Sequence, residues 1–367
     1  MAAALIGAVY GLISVRVAQR FFKSASPVAA QCPPVTLMKP LSGAEPGLRE
    51  NLETFCTQNY PSAVQMVFGV QAADDPAIKI VDELRAAHPD VEIGLIVGPR
   101  REGFNPKVSN LIGMLSSAKH EVLVVSDSDI AVPADYLRTI VGALEQPEVG
   151  AVTCFYKGVA TSNFWSKMAA MGIDYQFLPN AVFAVAAGLA LPCFGSTIGL
   201  RKSVLREIGG FEAFEDRLAD DYAIGAAIRS GGYRMAYPPI ILSHTCSETT
   251  GKELFEHELR WSRTVRSIAG AGHAGSVVTH VMPLALLGAL LLAFSHPAVA
   301  TLAAAVTARL MQKRQVDRLL GRRPSSWLLP GRDMLSFAVF LSSFLTKQVD
   351  WRGLRYQVKP SGVLTRS

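Results

Sequence analysis

Two acidic clusters hold the residues best suited to chemistry. Val124-Val125-Ser126-Asp127-Ser128-Asp129 ends an apolar run, and Leu218-Ala219-Asp220-Asp221-Tyr222 opens a later helical pattern. Two carboxylates one residue apart at the end of a buried strand suit a hard divalent cation whose other ligands are phosphates. With no basic neighbour in sequence, Asp127 and Asp129 repel each other unless a cation or ribose hydroxyls lie between them; the competing reading is a polar turn. In the second cluster a carboxylate at a helix N-terminus is exposed and steadied by the dipole, which suits a general base, Asp221 first. The competing reading is an N-cap, and Asp220 can cap while Asp221 acts. His257-Glu258-Leu259-Arg260-Trp261 follows in a segment, Leu254 to Ile268, whose apolar positions recur at helical spacing. Arg260, Arg263 and Arg266 on such a helix can equally be a solvated or lipid-facing basic side.

These clusters need elements to hold them. From Val35 to about Pro239, apolar strand-like runs alternate with helix-period segments, the pattern of an α/β domain with a mostly parallel sheet. The strands are expected at Val35 to Met38, Val64 to Val70, Val91 to Val97, Val122 to Val125 and Ala151 to Phe155, and the helices at Ala77 to Ala87, Lys107 to Ser117, Tyr136 to Leu144 and Tyr222 to Arg229. Ligands of such sheets bind at the carboxyl ends of the strands, where Lys39-Pro40, Asp74-Asp75 and Asp127-Ser128-Asp129 all fall. Asp75 before Pro76 is also a common capping arrangement. Lys107 and Asn110 either bind phosphate or cap their own helix. His244 is a candidate third metal ligand or an ordinary structural histidine. No Gly-rich phosphate loop of the P-loop or dinucleotide type is present.

Half of the 367 residues are hydrophobic and the mean hydropathy is +0.26, which points to membrane contact. The net charge of +6 fits an anionic lipid surface or substrate, and no basic tract with interleaved aromatics favours nucleic acid. Cys32, Cys56, Cys154, Cys193 and Cys246 are scattered and odd in number, so we read reduced thiols of a cytosolic domain, with no zinc site and no disulfide framework. Ala2 to Val15, followed by Arg16 and Arg20, reads as a short uncleaved anchor in preference to a signal peptide. Val277 to Phe294 is the strongest spanning candidate. After a break at Ser295-His296-Pro297, Ala298 to Met311 completes a hairpin that ends in a basic loop of Lys313, Arg314, Arg318, Arg322 and Arg323. Phe177 to Phe194 is equally apolar but lies between the acidic clusters, so it is expected to be buried or interfacial. The expected divisions are a membrane anchor at 1–22, a catalytic domain at 33–250, an interfacial amphipathic helix at 251–272 and a membrane-associated region at 273–367.

Gly69-Val70-Gln71, Asp74-Asp75-Pro76-Ala77-Ile78, Asn105-Pro106-Lys107-Val108-Ser109-Asn110-Leu111, Asp127-Ser128-Asp129-Ile130, Ala219-Asp220-Asp221-Tyr222, Arg260-Trp261 and Trp351-Arg352-Gly353-Leu354-Arg355-Tyr356 resemble the ceramide glucosyltransferase family, in the same order and over nearly the whole chain. His257 through Arg266 and Phe155-Tyr156 more closely resemble the bacterial hopanoid-biosynthesis glycosyltransferases. Two departures stand out: His257 replaces the family's common Gln or Arg, and Asp129 stands where ceramide glucosyltransferases often carry Gly.

The resemblance implies an inverting GT-A enzyme, Rossmann-like, on the cytoplasmic face of a bacterial inner membrane. It implies transfer of a hexose or N-acetylhexosamine from a UDP-sugar to a lipid hydroxyl, with N-acetylglucosamine to bacteriohopanetetrol as the first expectation. Glucosyl transfer to ceramide is the alternative. A processive polysaccharide synthase is a more remote one, since it would need more membrane helices, and intact carboxylates argue against a non-catalytic adaptor. By the same resemblance Asp221 is the base, Asp75 meets the uracil or ribose, and Asp127 and Asp129 hold Mg²⁺ or Mn²⁺. Lys39, Lys107, Asp127, Asp220, His257, Arg260 and Trp261 contact substrate, with Arg260 beside the diphosphate and Trp261 offering a flat face to a sugar.

Overall fold

The computed structural model describes residues 1–98, 103–161, 163–322 and 324–345, and the backbone of 348–351, 354–358 and 364–366. The chain divides into two compact units. One comprises Ser24–Tyr156 with Leu191–Ser247, and the other Met1–Lys23, Lys157–Ala190 and Glu248–Ser367.

Helix α1 (Ala2–Phe21) belongs to the second unit. The first unit then runs β1 (Val35–Pro40), α2 (Leu48–Cys56), β2 (Val64–Val70), α3 (Ala77–Ala87), β3 (Glu92–Val97), α4 (Pro106–Leu115), β4 (Val122–Val125), β5 (Ile130–Ala131), α5 (Tyr136–Leu144) and β6 (Val149–Val152). Strand β7 (Phe155–Ala160) leads out of it, and it resumes with β8 (Ile198–Arg201), α8 (Lys202–Glu207), α9 (Asp220–Ser230), β9 (Arg234–Ala236) and β10 (Ile241–Cys246). The main sheet has the order β3-β2-β1-β4-β8-β6-β9, and a small one the order β5-β10-β7. β1 pairs in parallel with both β2 and β4, while β8 runs antiparallel to β4 and β6.

Every residue of β1 and β4 is buried, as parallel strands covered on both faces require. Alternate residues feed two cores: Leu37, Val124, Phe55 and Ile140 on one face, Met38, Val125, Leu111 and Ile224 on the other. Strand order reverses between β1 and β4, so the crevice beyond their carboxyl ends is the place where such a sheet takes a ligand. Lys39-Pro40 and Ser126 to Asp129 lie there.

The expected α3, α5, β2 and β4 match their observed bounds, while β1 runs on to Pro40 and β3 starts at Glu92. The run Ala151 to Phe155 is not one strand; Thr153 and Cys154 separate β6 from β7, and the chain changes sheet there. α2 and the antiparallel β8 lie outside the sequence expectation.

The second unit holds α1, α6 (Phe164–Gly172), a π-helical turn (Ile173–Phe177), α7 (Leu178–Ala186), α10 (Gly251–Ile268), α11 (Gly270–Gly275), α12 (Val281–Leu291), α13 (His296–Leu320) and α14 (Leu329–Ser342). It ends with the backbone of β11 (Gln348–Trp351), β12 (Leu354–Val358) and β13 (Leu364–Arg366). Arg352 and Gly353 of the late motif lie outside the described residues. α1 buries a face of small residues, Ala4, Gly7, Gly11 and Ala18, and exposes Leu5, Ile6, Val9 and Ile13. A Cβ on Gly7 would lie 1.9 Å from the Val278 carbonyl oxygen, so only glycine allows this helix contact. Among the described residues, α1 is the one helix long and apolar enough to cross a membrane.

Two expectations are corrected here. Val277 to Phe294 is not a single helix: a 3-10 turn, Ser276–Thr279, precedes α12, and the helical segments on either side of His280 are bent by 67°. Pro283 would clash with the carbonyl of Thr279 if the helix ran straight through. Lys313, Arg314 and Arg318 do not lie in a loop, because α13 continues to Leu320. Arg309 makes a buried double contact with Asp333 at 2.7 and 2.9 Å, Lys313 meets Asp317 at 2.7 Å, and Arg322 pairs with Asp174. Buried carboxylates hold the charges of Arg309, Lys313 and Arg322, whereas Arg314 and Arg318 are exposed; Arg323 lies outside the described residues. Phe177 to Phe194 is helical as far as Ala186, with Leu178, Pro179 and Val182 buried and Leu189 beyond the helix 73% exposed.

Candidate active site

Gly195 links the two acidic clusters. Its N–H donates to Asp221 Oδ2 at 2.9 Å, and its carbonyl accepts from the Asp127 N–H at 3.1 Å. A Cβ at this position would lie 2.3 Å from Asp127 Oδ2 and 2.9 Å from Lys107 Nζ, so the approach requires glycine. Gly195 precedes β8, whose antiparallel pairing with β4 (Val125↔Ile198) carries it alongside the end of the acid-bearing strand.

The cation missing from the sequence neighbourhood of Asp127 is supplied by the fold. Lys107 Nζ lies 2.7 Å from Asp127 Oδ1 and 3.3 Å from Asp220 Oδ2. It reaches both because Asn105 starts α4, accepting from the N–H groups of Lys107 and Val108 at 2.9 and 3.2 Å. Asn105 also donates to Asp220 Oδ1 at 3.2 Å and to the Arg217 carbonyl at 2.8 Å, fixing α4 against the start of α9. Neither Lys107 nor Asn110 caps this helix: Asn110 is buried and donates to the Gly69 carbonyl at 3.2 Å. Burial opposes the Lys107 charge, but Asp127, Asp220 and Asp221 together hold its ammonium well above the usual lysine range.

Asp220 is 5% exposed and turned inward to Asn105 and Lys107, whereas Asp221, next along the first turn of α9, points to Gly195 and accepts from the Tyr222 N–H at 2.7 Å. Burial, then repulsion from Asp220, pushes the Asp221 carboxyl up to about 6, with Lys107 opposing. A carboxylate so tuned is ionised at neutral pH yet basic enough to take a proton. Burial likewise raises Asp127.

Asp129 is held from the other side. β5 pairs with β10 in the register His244↔Ile130, and His244 Nε2 lies 3.2 Å from Asp129 Oδ2. Tyr156 stacks on the His244 ring at 5.3 Å. Burial opposes the imidazolium, but Asp129 outweighs it and raises His244 well above its usual range. Among the described residues no three His, Cys, Asp or Glu side chains group as a metal cage. Lys39 is 0% exposed: its ammonium sits 3.5 Å over the Phe55 ring and donates to Ser126 Oγ at 3.3 Å, where burial pushes it down to about 7. It therefore supports the end of β4 from within. Asp75 accepts from the N–H groups of Ala77 and Gly43, at 2.9 and 3.0 Å, capping α3 and tethering the loop after β1.

His257, Arg260 and Trp261 lie on α10 of the other unit. His257 Nδ1 is 2.7 Å from Glu248 Oε1, and its ring meets Trp261 edge-on at 4.4 Å. Gly195 and Asn105 were not legible as site residues; Phe194-Gly195-Ser196-Thr197 before Ile198-Gly199-Leu200 is the local signal of a tight approach.

The family model for glycosyl transferase family 21 matches residues 1–364. Ceramide glucosyltransferase 1 of Caenorhabditis elegans is 28% identical over 231 residues, covering 62% of this chain and 49% of its own length. The beta-monoglucosyldiacylglycerol synthase of Synechocystis sp. is 24% identical over 238 residues, covering 63% and 47%. The chain thus spans about half the length of these curated relatives. A mannosyltransferase from Pyrobaculum calidifontis, solved with GDP-Man and Mn²⁺, matches with a TM-score of 0.56 at 22% identity, over 94% of this chain and 98% of that one, a likeness of fold.

Proposed function

The chain belongs to glycosyl transferase family 21, and on that premise we propose that it transfers N-acetylglucosamine from UDP to a hydroxyl of a membrane lipid, a hopanoid polyol of the bacteriohopanetetrol kind, with inversion. The observation that carries this reading is the Gly195 bridge, which ties a base candidate to the acid pair that would face the donor.

In this reading Asp221 Oδ accepts the proton of the lipid hydroxyl as that oxygen bonds to the anomeric carbon. The bond from that carbon to the β-phosphate oxygen breaks, and UDP leaves with its electron pair. Asp220 stays buried and holds Lys107. Lys107 in turn orients Asp127 and contributes positive charge near the phosphates. Asp75 steadies the loop that would receive the nucleoside.

The donor set fits a hard divalent cation: Asp127 and Asp129 offer carboxylate oxygens just beyond one strand end, and diphosphate oxygens would complete its shell. Mg²⁺ or Mn²⁺ held there would neutralise charge on the departing diphosphate. Arg260 and Trp261 are assigned to the diphosphate and a sugar face. The ceramide glucosyltransferase and the diacylglycerol relative support a lipid acceptor, and the exposed apolar side of α1 supports a membrane setting, with the α/β unit on the cytoplasmic face.

The test is product analysis. Purified enzyme given bacteriohopanetetrol and ceramide together with UDP-glucose and UDP-N-acetylglucosamine is expected to yield N-acetylglucosaminyl hopanoid by mass spectrometry. Glucosylceramide as the sole product would replace the hopanoid assignment with the ceramide one.

A further inference from the structure

The outward surface of α1 changes character along its length. Leu5, Ile6, Val9 and Ile13 are exposed over its first turns, and Arg16 and Arg20 continue the same stripe at its end. α13 repeats the change. Val299, Ala303, Ala304 and Met311 are exposed along it, and Arg314 and Arg318 continue that stripe. Both helices belong to one unit and run side by side in one direction, since Ala4 shares a packed cluster with Ala305, and Gly11 meets Gln312, where a Cβ would lie 3.1 Å from Oε1. The offset between partners is the same at both contacts, so the two arginine pairs lie within about two turns of one level.

These arginines differ from the cations inside the unit. Arg309, Lys313 and Arg332 are buried, and each meets a carboxylate at 2.7 Å, Asp333, Asp317 and Glu258 in turn. Arg16, Arg20, Arg314 and Arg318 are exposed and have no carboxylate partner among the described residues. Each helix carries its pair at i and i+4, where like charges repel. Four guanidinium groups thus gather at the edge of an apolar surface, and no described carboxylate balances them.

We infer that Arg16, Arg20, Arg314 and Arg318 form a collar that binds the phosphates of anionic phospholipids, with the apolar stripes of α1 and α13 lying among the acyl chains. Where an apolar surface leaves the hydrocarbon of a leaflet it meets phosphate, and guanidinium groups bind phosphate in a bidentate way. A headgroup of net negative charge relieves the repulsion between the arginines, whereas a zwitterionic one brings its own cation. Continuity with the apolar stripes favours a leaflet over an acidic protein, which would leave those stripes in water. The collar rests on the membrane setting proposed above and on neither the donor nor the acceptor.

The experiment places the full chain in phosphatidylcholine bilayers and measures, by electron paramagnetic resonance of spin-labelled lipids, how strongly phosphatidylglycerol is held at the protein boundary relative to phosphatidylcholine. The wild-type chain is expected to prefer phosphatidylglycerol roughly fivefold at low salt, and the preference should shrink as salt is raised. Changing all four residues together, Arg16→Gln, Arg20→Gln, Arg314→Gln and Arg318→Gln, breaks no ion pair, and the preference should fall to about one. A second chain with Lys at the same four positions should keep most of it, because charge is what the phosphates meet. No preference in the wild-type chain, or the same preference in the Gln chain, would overturn the collar and leave the arginines to an acidic protein partner. A Lys chain that loses the preference as fully as the Gln chain would overturn it too. A wild-type chain that does not enter bilayers removes the membrane setting and the collar together, whereas firm insertion without lipid preference removes the collar alone.

Discussion

Gly195 and Asp221, 26 residues apart in sequence, meet in a 2.9 Å hydrogen bond from backbone amide to carboxylate, and the other side of the same glycine receives the Asp127 N–H. Movement of either acid is therefore felt by the other through a single residue. The base and the donor-facing acid are held as a fixed pair, which is what an in-line displacement between two bound substrates demands.

Gly195→Ala should break that pair. The new methyl would arrive 2.3 Å from Asp127 Oδ2 and 2.9 Å from Lys107 Nζ, and these side chains must turn aside to admit it. We expect turnover to fall by about 10²-fold with the fold retained by circular dichroism. Near-normal turnover would mean that the spacing is not critical.

The Asp221 carboxyl, pushed up to about 6, sets a pH limb. kcat/KM is expected to rise with pH and level off above about 6, as the base loses its proton. Stability runs the opposite way. Because the folded state holds this proton more tightly than the unfolded chain, the stability that Asp221 contributes is present below about 4 and is lost as pH rises through about 6. Asp221→Asn should remove this component from denaturant titrations across that window.

Lys107→Met leaves Asp127, Asp220 and Asp221 facing one another without their shared cation. A loss of about 2–4 kcal/mol in stability is expected, and the Asp221 limb should move to higher pH, both measurable in the purified variant. An unchanged limb would show that Lys107 does not govern the base.

How much of this was legible in sequence follows from what sequence encodes. Val122 to Val125 and Tyr136 to Leu144 were readable because burial on one or both faces imposes a pattern on consecutive residues. The pairings that make the site are long-range: Lys107 with Asp127, His244 with Asp129, and Gly195 with Asp221 depend on strand register and helix start, and no local pattern announces them. Asp127 and Asp129 lack cations in sequence but not in space. Lys39 misled for the opposite reason, since strand position marks the crevice but not which way the side chain turns. The bend before α12 and the helical course of Lys313 to Arg318 were missed because composition alone registers neither Pro283 nor the carboxylates, Asp333 and Asp317, that pair with Arg309 and Lys313.

Exhaustive chelation should abolish transfer, and Mg²⁺ or Mn²⁺ should restore it, because Asp127 and Asp129 would share the ion with the donor diphosphate. Full activity in the chelated enzyme would mean that Lys107 and the arginines alone carry the phosphate charge.

The central claim is that Asp221 takes the acceptor's proton. Asp221 accepts from the Gly195 and Tyr222 N–H groups with different oxygens, so Asn at 221 keeps one of these two bonds and cannot take up a proton. Single-turnover transfer by Asp221→Asn, measured with UDP affinity on the same preparation, is expected to slow by about 10²-fold or more with affinity nearly unchanged. Transfer at close to the wild-type rate would contradict the account and move the base elsewhere, to Asp220 first.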